Sequence, residues 1–284
     1  MKIAIVTDSA ADISSDITNR SELRILEIPL TFENKTLYQD QLSESGKLSE
    51  MLANGTGILT EEPVTLSEIS KIFTSLVSTG YTEIICIHIA NSISGLGSNL
   101  RNFVDNEQSF VNIHLFDSQS FGKAEGLLVE SALSMAEQGF SCVDIMAQLR
   151  LQRQKLHTVI IMENLQNLRK TGSISSGTHH LGKLVIHYKS LLHFSKTGKL
   201  EFLDNSARTK KLLGLVTNYV KNTSHTSQRQ CQLSIMSDDP QMLEDSTASL
   251  RQTFQLAQLH SEFLQPAIMA YTGPKTLVFT WQAE

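Results

Sequence analysis

Apolar runs and helical periodicities alternate through the first half of the chain. The runs with strand character are KIAIV, LRILEIPLTF, EIICIHI and NIHLFDS, and the helical stretches are TLSEISKIFTSLVSTG and FGKAEGLLVESALSMAEQG. Thr65 and Glu68 predict a capping box at the start of the first helix, and Gly80 predicts its end. Short apolar strands that alternate with helices are typical of a parallel sheet covered on both faces. The sequence therefore predicts an N-terminal α/β domain built on a parallel sheet.

The second half of the chain mixes strand pairs with helices. HTVIIM and QLSIMS predict single strands, KSLLHFSKTGKLEFL predicts two strands around a Thr-Gly turn, and PAIMAYTGPKTLVFTW predicts a closing hairpin about Gly273 and Pro274. ENLQNLRK predicts a short helix, whereas ARTKKLLGLVTNYVKN and PQMLEDSTASLRQTF predict longer ones, the last with Pro240 at its start. We therefore predict two α/β domains, residues 1–155 with a parallel sheet and residues 156–284 with a mixed sheet.

Composition narrows the class of protein without identifying it. The 284 residues carry a net charge of -5, with 40% hydrophobic and 19% charged residues, so we expect a soluble globular protein without affinity for nucleic acid. The three cysteines are far apart, which argues against a disulfide framework and a thiolate zinc site. No apolar run approaches the roughly 20 residues of a membrane span, and the N-terminus does not resemble a signal peptide. These features predict a cytoplasmic protein.

Polar, glycine-containing loops follow three of the predicted parallel strands. Their sequences are TDSAAD, ANSISGLGS and FDSQSFG. The carboxyl ends of parallel strands share one edge of the sheet, and ligands bind in the crevice outside that edge. Helix N-termini there offer free N–H groups to a carboxylate or a phosphate. Three such loops on one edge predict a binding site, although each alone would be explained by helix capping.

Catalytic and metal-binding motifs do not fit these residues. Ser94 lacks the flanking glycines of a hydrolase nucleophile elbow, and the sequence contains no P-loop. Gly95 and Gly97 lack the third glycine of a dinucleotide fingerprint. The adjacent His179 and His180 are better explained as solvated loop residues than as metal ligands. We therefore expect an anion-binding loop, with no catalytic residue, no metal ligand and no cofactor.

Five stretches resemble, in order and spacing, the landmarks of DegV family proteins: VTDSAADIS, IHIANSISGLGS, FDSQSFGKAEG, NLQNLRKTGSIS and TGPKTLVFTW. The resemblance covers nearly the whole chain. It implies a bacterial, cytoplasmic lipid-binding protein that holds one long-chain fatty acid, with the carboxylate between two α/β domains and the acyl tail buried. It also implies a non-catalytic role as the acyl carrier for a separate fatty-acid kinase, and it leaves room for peripheral contact with a membrane.

The resemblance also assigns candidate residues to the head group of the ligand. Thr60 remains from the family's Thr-Ser-Gln-Pro loop, and Ser94 stands where the family has the serine that hydrogen-bonds the carboxylate. Thr60 and Ser94 are therefore expected to hold the carboxylate. The expected surroundings of the head group are Asn91, Ser92, Gly95, Ser118, Ser173 and Tyr271.

Several positions depart from the family pattern. Glu61 and Glu62 replace a serine and a glutamine, Leu96 replaces a threonine, Ser173 replaces an arginine, and Tyr271 replaces a histidine. Acidic side chains facing the pocket would repel an anion by several kcal/mol at ~4 Å and an effective dielectric near 20, whereas side chains facing solvent would not. The loss of two cationic donors predicts that the chain binds acyl chains better than it supports their phosphorylation.

Two other functions remain open. The Ser-x-Ser-Gly loop at Ser92 also resembles the phosphosugar loop of sugar-isomerase domains, which would make this a sugar-phosphate binder or enzyme. The landmarks of the second half have no place in such a fold. The chain could instead be a degenerate DegV-like protein that acts in regulation or interaction, with an altered pocket.

Overall fold

The computed structural model of the chain describes residues 2–42, 57–106, 111–170, 188–224, 232–254 and 258–283, together with Leu48, Met51 and Leu52. The described strands are β1 (Ile3–Asp8), β2 (Leu23–Leu26), β3 (Leu30–Phe32), β4 (Lys35–Leu37), β5 (Thr60–Glu61), β6 (Glu83–His88), β7 (Asn112–Asp117), β8 (Leu156–Met162), β9 (Lys189–Phe194), β10 (Leu200–Ser206), β11 (Gln232–Ser237), β12 (Gln258–Phe263) and β13 (Leu277–Gln282). The described helices are α1 (Gln39–Leu42), α2 (Leu66–Ser78), α3 (Leu96–Asn106), α4 (Gly122–Glu137), α5 (Cys142–Lys155), α6 (Gln166–Lys170), α7 (Thr209–Thr223), α8 (Pro240–Thr253) and α9 (Pro266–Thr272). Among these helices, none combines the length and the apolar character that crossing a membrane requires.

The first sheet is parallel and covered on both faces. Its strand order is β2-β1-β6-β7, and every neighbouring pair is parallel. Ala4 and Val6 of β1 pack with α2 and α3, whereas Ile3 and Ile5 pack with α4 and α5. This alternation follows from the opposite directions of successive side chains in a strand. The predicted parallel-sheet architecture is confirmed.

The stretch LRILEIPLTF is not the single strand that its apolar pattern predicts. It forms β2 in the parallel sheet and β3 in a separate antiparallel sheet of order β4-β3-β5. Pro29 interrupts the run because it has no N–H to donate to a sheet. Ile28 N donates instead to Ser9 Oγ at 3.0 Å. The small antiparallel sheet matters because β5 carries Thr60 and Glu61 at its edge.

The second sheet is mixed, as predicted. Its order is β10-β9-β8-β13-β11-β12, with β11 and β12 parallel and the other neighbours antiparallel. The predicted turn between β9 and β10 contains Gly198, whose φ of 74° lies in the left-handed region. The first strand of this sheet along the chain begins at Leu156. The domain boundary at residues 155 and 156 stays a prediction.

The predicted hairpin about Gly273 and Pro274 is wrong. The segment forms helix α9 followed by a single strand, β13, which pairs with β8 and β11. Pro266 occupies the first turn of α9, where its missing N–H costs nothing. All seven residues of α9 are buried, so the helix shows no alternation between an apolar and a polar face. Gly273, with a φ of 74°, ends the helix.

One apolar cluster connects the two larger sheets. Ile93, from the loop after β6, belongs to the same cluster as Met162 of β8, Leu168 of α6 and Ile268 of α9. Leu30 of the small sheet also belongs to it. The polar loop edge of the parallel sheet therefore lies beside apolar residues supplied by the second half of the chain.

Candidate functional site

Polar loops meet at one edge of the parallel sheet, as the sequence predicts. The Asp8 carboxylate at the end of β1 accepts hydrogen bonds from Ala10 N at 3.0 Å and from Ile89 N at 2.8 Å. Ala90 N donates to Ser120 O at 2.8 Å, which joins the loop after β6 to the loop after β7. The carboxyl ends of β1, β6 and β7 thus share a connected polar edge.

The loop after β6 turns closely against its own strand because Gly97 has no side chain. A Cβ at Gly97 would lie 1.9 Å from Asn91 Oδ1 and 2.6 Å from His88 Cε1, both far inside van der Waals contact. The turn also brings Ser94 Oγ within 3.1 Å of Leu96 N, from which it accepts a hydrogen bond at the start of α3. Ser94 therefore does cap the helix locally, but its hydroxyl proton is left for another partner.

That partner is the carboxyl group of Glu61. Ser94 Oγ donates to Glu61 at 2.9 Å from Oε2 and 3.3 Å from Oε1, and Gly95 N donates to Oε1 at 3.3 Å. The Tyr271 hydroxyl also donates to Oε2. We call these three donors, Ser94 Oγ, Gly95 N and Tyr271 OH, the clamp. Glu61 thus faces the predicted head-group position, the first of the two orientations that the sequence left open.

The environment of Glu61 favours its uncharged form. Burial raises the pKa of Glu61 from 4.5 to about 7, and the negative charge of Asp8 also raises it. The hydrogen bonds from Ser94 and Gly95 lower the pKa because they stabilise the charged form, but burial outweighs them. At neutral pH, Glu61 therefore exchanges between its charged and uncharged forms.

Asn167 of α6 fixes the position of the clamp tyrosine. Its Nδ2 donates to Ala270 O at 2.9 Å and lies 3.2 Å from Leu59 O and 3.4 Å from Met269 O. One amide group therefore connects α9, which carries Tyr271, to the residue that precedes β5. Sequence reasoning missed Asn167 as a site residue, although it lies inside the NLQNLRKTGSIS landmark.

Other predicted head-group residues have partners away from the clamp. Asn91 Nδ2 donates to Asp117 Oδ2 at 3.0 Å, and Ser118 Oγ donates to Ser120 O at 2.9 Å. Ser92 Oγ is buried and has no hydrogen-bond partner among the described residues. Ser118 and Ser120 line a separate cavity of about 330 Å³. Their predicted roles around a head group stay predictions.

Of the remaining predicted site positions, those that the structure describes form no hydrogen bond with the clamp, and the others lie outside the described residues. Among the described residues, no hydrogen bond joins the Thr60 hydroxyl to Ser94 or to Glu61. The Glu62 carboxylate accepts hydrogen bonds from Thr31 Oγ1 and, at 3.5 Å, from Thr36 Oγ1, so its partners lie outside the clamp. Ser173, His179, His180 and Cys231 lie outside the described residues.

A small cavity borders Glu61. It measures about 110 Å³, and its lining includes Ile28, Val64 and Leu96. Pockets that hold drug-sized ligands measure roughly 300–1,000 Å³, so this cavity alone is too small for a long acyl tail. A bound tail would have to separate apolar side chains that are packed together here.

One group of side chains outside the clamp has the composition of a metal site. Ligand atoms of Glu83, His114 and Cys142 lie within 4.8 Å of one another. His114 Nε2 lies 2.9 Å from Glu83 Oε2, and Glu83 Oε1 accepts a hydrogen bond from Asn112 Nδ2 at 2.8 Å. The glutamate therefore has protein partners for both oxygens. The predicted absence of a metal ligand set stays a prediction.

The fold is an α/β protein with a parallel sheet, a mixed six-stranded sheet and a small antiparallel sheet. With the clamp at the polar edge, it is of the kind that the landmark motifs imply. A family model described as "Uncharacterised protein, DegV family" matches residues 2–284. The chain belongs to the DegV family. The resemblance found in the sequence is thereby confirmed.

Similar proteins agree with this assignment. A DegV domain-containing protein of Streptococcus pneumoniae is 25% identical over 228 residues, which are 80% of this chain and 80% of that protein. The crystal structure of the fatty acid binding DegV family protein of Streptococcus agalactiae matches with a TM-score of 0.82 at 23% identity, over 100% of this chain and 99% of that one. A DegV family protein of Eubacterium eligens, loaded with heptadecanoic acid, matches with a TM-score of 0.80 at 17% identity, over 99% and 100%. At these identities the structural matches establish the fold.

Proposed function

We propose that this chain binds one long-chain acyl ligand, with the head group at the clamp and the tail among the apolar residues that connect the two sheets. The observation that carries the proposal is the convergence of Ser94, Gly95 and Tyr271 on one carboxyl group. Hydrogen bonds to a charged carboxylate are strong, and a fatty acid presents the same chemical group. Ile93 and Ile268 of the adjoining apolar cluster supply surface for a tail.

The named ligands of similar structures support the choice of ligand class. The Streptococcus agalactiae protein is described as fatty acid binding, and the Eubacterium eligens protein was crystallised with heptadecanoic acid. Both share the fold of this chain over nearly its full length. A long-chain fatty acid or a related acyl compound is therefore the first ligand to test.

The tail would supply most of the affinity. Burying about a dozen methylene groups at ~0.8 kcal/mol each contributes about 10 kcal/mol before the losses of association. The clamp would orient the head group, with Ser94 as its central donor. A direct role of Thr60 in holding a carboxylate belongs to the proposal too, and it requires the Glu61 side chain to leave the clamp.

The proposal further includes that the chain presents its bound acyl group to a separate fatty-acid kinase. Phosphorylation of a carboxylate accumulates negative charge, which fixed cations stabilise best. Tyr271 donates a hydrogen bond but carries no positive charge, and its hydroxyl already contacts Glu61. We therefore propose that the chain binds an acyl group but supports its phosphorylation only weakly. The rate of acyl-phosphate formation with a kinase from the same genome measures this support.

Extraction of freshly purified protein tests the proposal. We expect about one C14–C18 acyl chain per protein molecule in the organic extract, identified by mass spectrometry, and native mass spectrometry should show the same complex. Less than about a tenth of that amount, with no uptake of added lipid, would contradict acyl binding. A bound sugar phosphate would instead favour the phosphosugar alternative, and an empty protein would favour a regulatory role.

A further inference from the structure

The clamp already holds a carboxyl group that belongs to the chain itself. Each of the three donors has one proton to give, and all three protons point at Glu61. Ser94 Oγ and Tyr271 OH both contact Oε2, while Gly95 N contacts Oε1. A fatty-acid carboxylate entering this position would find no free donor in the clamp. It would also meet a second carboxyl group at contact distance.

Among the described residues, the groups around Glu61 do not offset a second negative charge. The charged group that acts on it from β1 is Asp8, which is negative when ionised. The loop before α3 contributes the uncharged Ser94 and Gly95, and α9 contributes the hydroxyl of Tyr271. In the part of the chain that the structure describes, no Lys, Arg or His side chain forms an ion pair with Glu61.

Glu62, the next residue, does not change this balance. Its carboxylate is held by Thr31 and Thr36 of the small antiparallel sheet. Leu30 lies opposite Glu61 in the pairing of β3 with β5, so the strand beside Glu61 adds no charge there. With no compensating cation among the described residues, two charged carboxylates at the clamp would therefore repel each other.

We propose that Glu61 determines head-group specificity: its carboxyl group fills the clamp, so the site accepts a long-chain lipid whose head group donates a hydrogen bond to Glu61 in place of a free carboxylate. The inference rests on the proposed function and names the ligand class. A long-chain primary alcohol can donate its hydroxyl proton to Glu61 directly. A fatty acid can form this hydrogen bond only when its carboxyl group and that of Glu61 share one proton.

The two ligand types differ in their dependence on pH. Binding of a fatty acid requires one proton on the pair of carboxyl groups, and Glu61, with a pKa raised to about 7 by burial, can hold it near neutral pH. Above that pH the proton must be taken up on binding, so the affinity for the acid should fall by up to about tenfold per pH unit. An alcohol brings its own donor, and its affinity should change little.

Binding measurements with tetradecanoic acid and 1-tetradecanol test this inference on the delipidated full chain. At about pH 8 the natural chain should bind the alcohol at least about tenfold more tightly than the acid, the factor that one pH unit of proton uptake gives. Glu61→Ser frees the clamp donors, so this variant should bind the acid at least about tenfold more tightly than the natural chain and lose its pH dependence. Glu62→Ser is the matched control, because it removes a neighbouring carboxylate that does not contact the clamp, and it should behave like the natural chain.

The possible results separate this inference from the proposed function. If the natural chain binds the acid at about pH 8 as tightly as Glu61→Ser does, Glu61 leaves the clamp freely, and the inference is wrong while acyl binding stands. If no variant binds either lipid, acyl binding itself fails, and the inference fails with it. Should Glu61→Ser fold poorly, Glu61→Gln keeps the size of the side chain and removes its charge, and it should likewise lose the pH dependence of acid binding.

Discussion

At the scale of single residues, Glu61 decides what the clamp can do. A serine at this position, as in the family pattern, could not reach Ser94, Gly95 and Tyr271 at once, whereas the longer glutamate contacts all three. Sequence reasoning identified Glu61 as a departure and gave the sign of its effect on a bound anion. It could not give the direction of the side chain, because that depends on Tyr271, which lies 210 positions further along the chain.

We expect Ser94→Ala to raise the pKa of Glu61 above its value in the natural chain. The Ser94 hydroxyl stabilises the charged carboxylate, so its removal favours the protonated form. A pH titration of the side-chain carboxyl carbon by NMR measures the change. Ser98→Ala, which removes an exposed serine from α3, should leave the titration unchanged. An unchanged pKa in Ser94→Ala would show that the Ser94 hydroxyl does not stabilise the charged carboxylate.

At the scale of elements, local sequence patterns predict most strands and helices correctly. They fail for elements that are buried on all sides. The capping box of α2 is present, with Glu68 N donating to Thr65 Oγ1 at 3.2 Å and Thr65 N donating to Glu68 Oε2 at 2.8 Å. Helix α9 was predicted as half of a hairpin because burial on all sides removes the periodicity that distinguishes a helix from a strand. The break at Pro29 was visible in the sequence, but the second sheet that it creates depends on pairing between distant segments.

We expect Asn167→Ala to lower the free energy of unfolding by about 1–3 kcal/mol, because the carbonyl groups of Leu59 and Ala270 lose a buried donor. The same change should weaken acyl binding, since α9 then holds Tyr271 less firmly. Urea unfolding and lipid titration measure the two effects. Gln166→Ala removes an exposed side chain from the same short helix and should change neither. A loss of stability without a change in binding would limit Asn167 to a structural role.

At the scale of the whole molecule, the fold brings buried acidic groups together at the polar edge of the parallel sheet. Burial raises the pKa of Asp8, Asp12, Glu61 and Glu125, and Asp8 raises the pKa of both Glu61 and Glu125 by its charge. Asp8 also holds the loops together through Ala10 N and Ile89 N. The parallel sheet was predictable from alternating strands and helices. The sequence predicts that strands carrying acidic residues end at a common edge of the sheet. It does not predict that their carboxyl groups lie close enough to raise one another's pKa.

These raised pKa values predict that the folded chain becomes less stable as the pH rises towards neutrality. Between pH 4.5 and about 7 the folded protein holds a proton on Glu61 that the unfolded chain has released, so the free energy of unfolding decreases as the pH rises through this window. Glu61 alone should account for a decrease of about 2–3 kcal/mol. The variant Glu61→Gln has no proton to release, so its stability should decrease less over the same window.

Urea unfolding at a series of pH values measures both curves, and Glu62→Gln should follow the natural chain. If the curves of Glu61→Gln and the natural chain run parallel from pH 4.5 to about 7, the carboxyl group of Glu61 is not held in its uncharged form, and the pH dependence proposed for fatty-acid binding loses its basis.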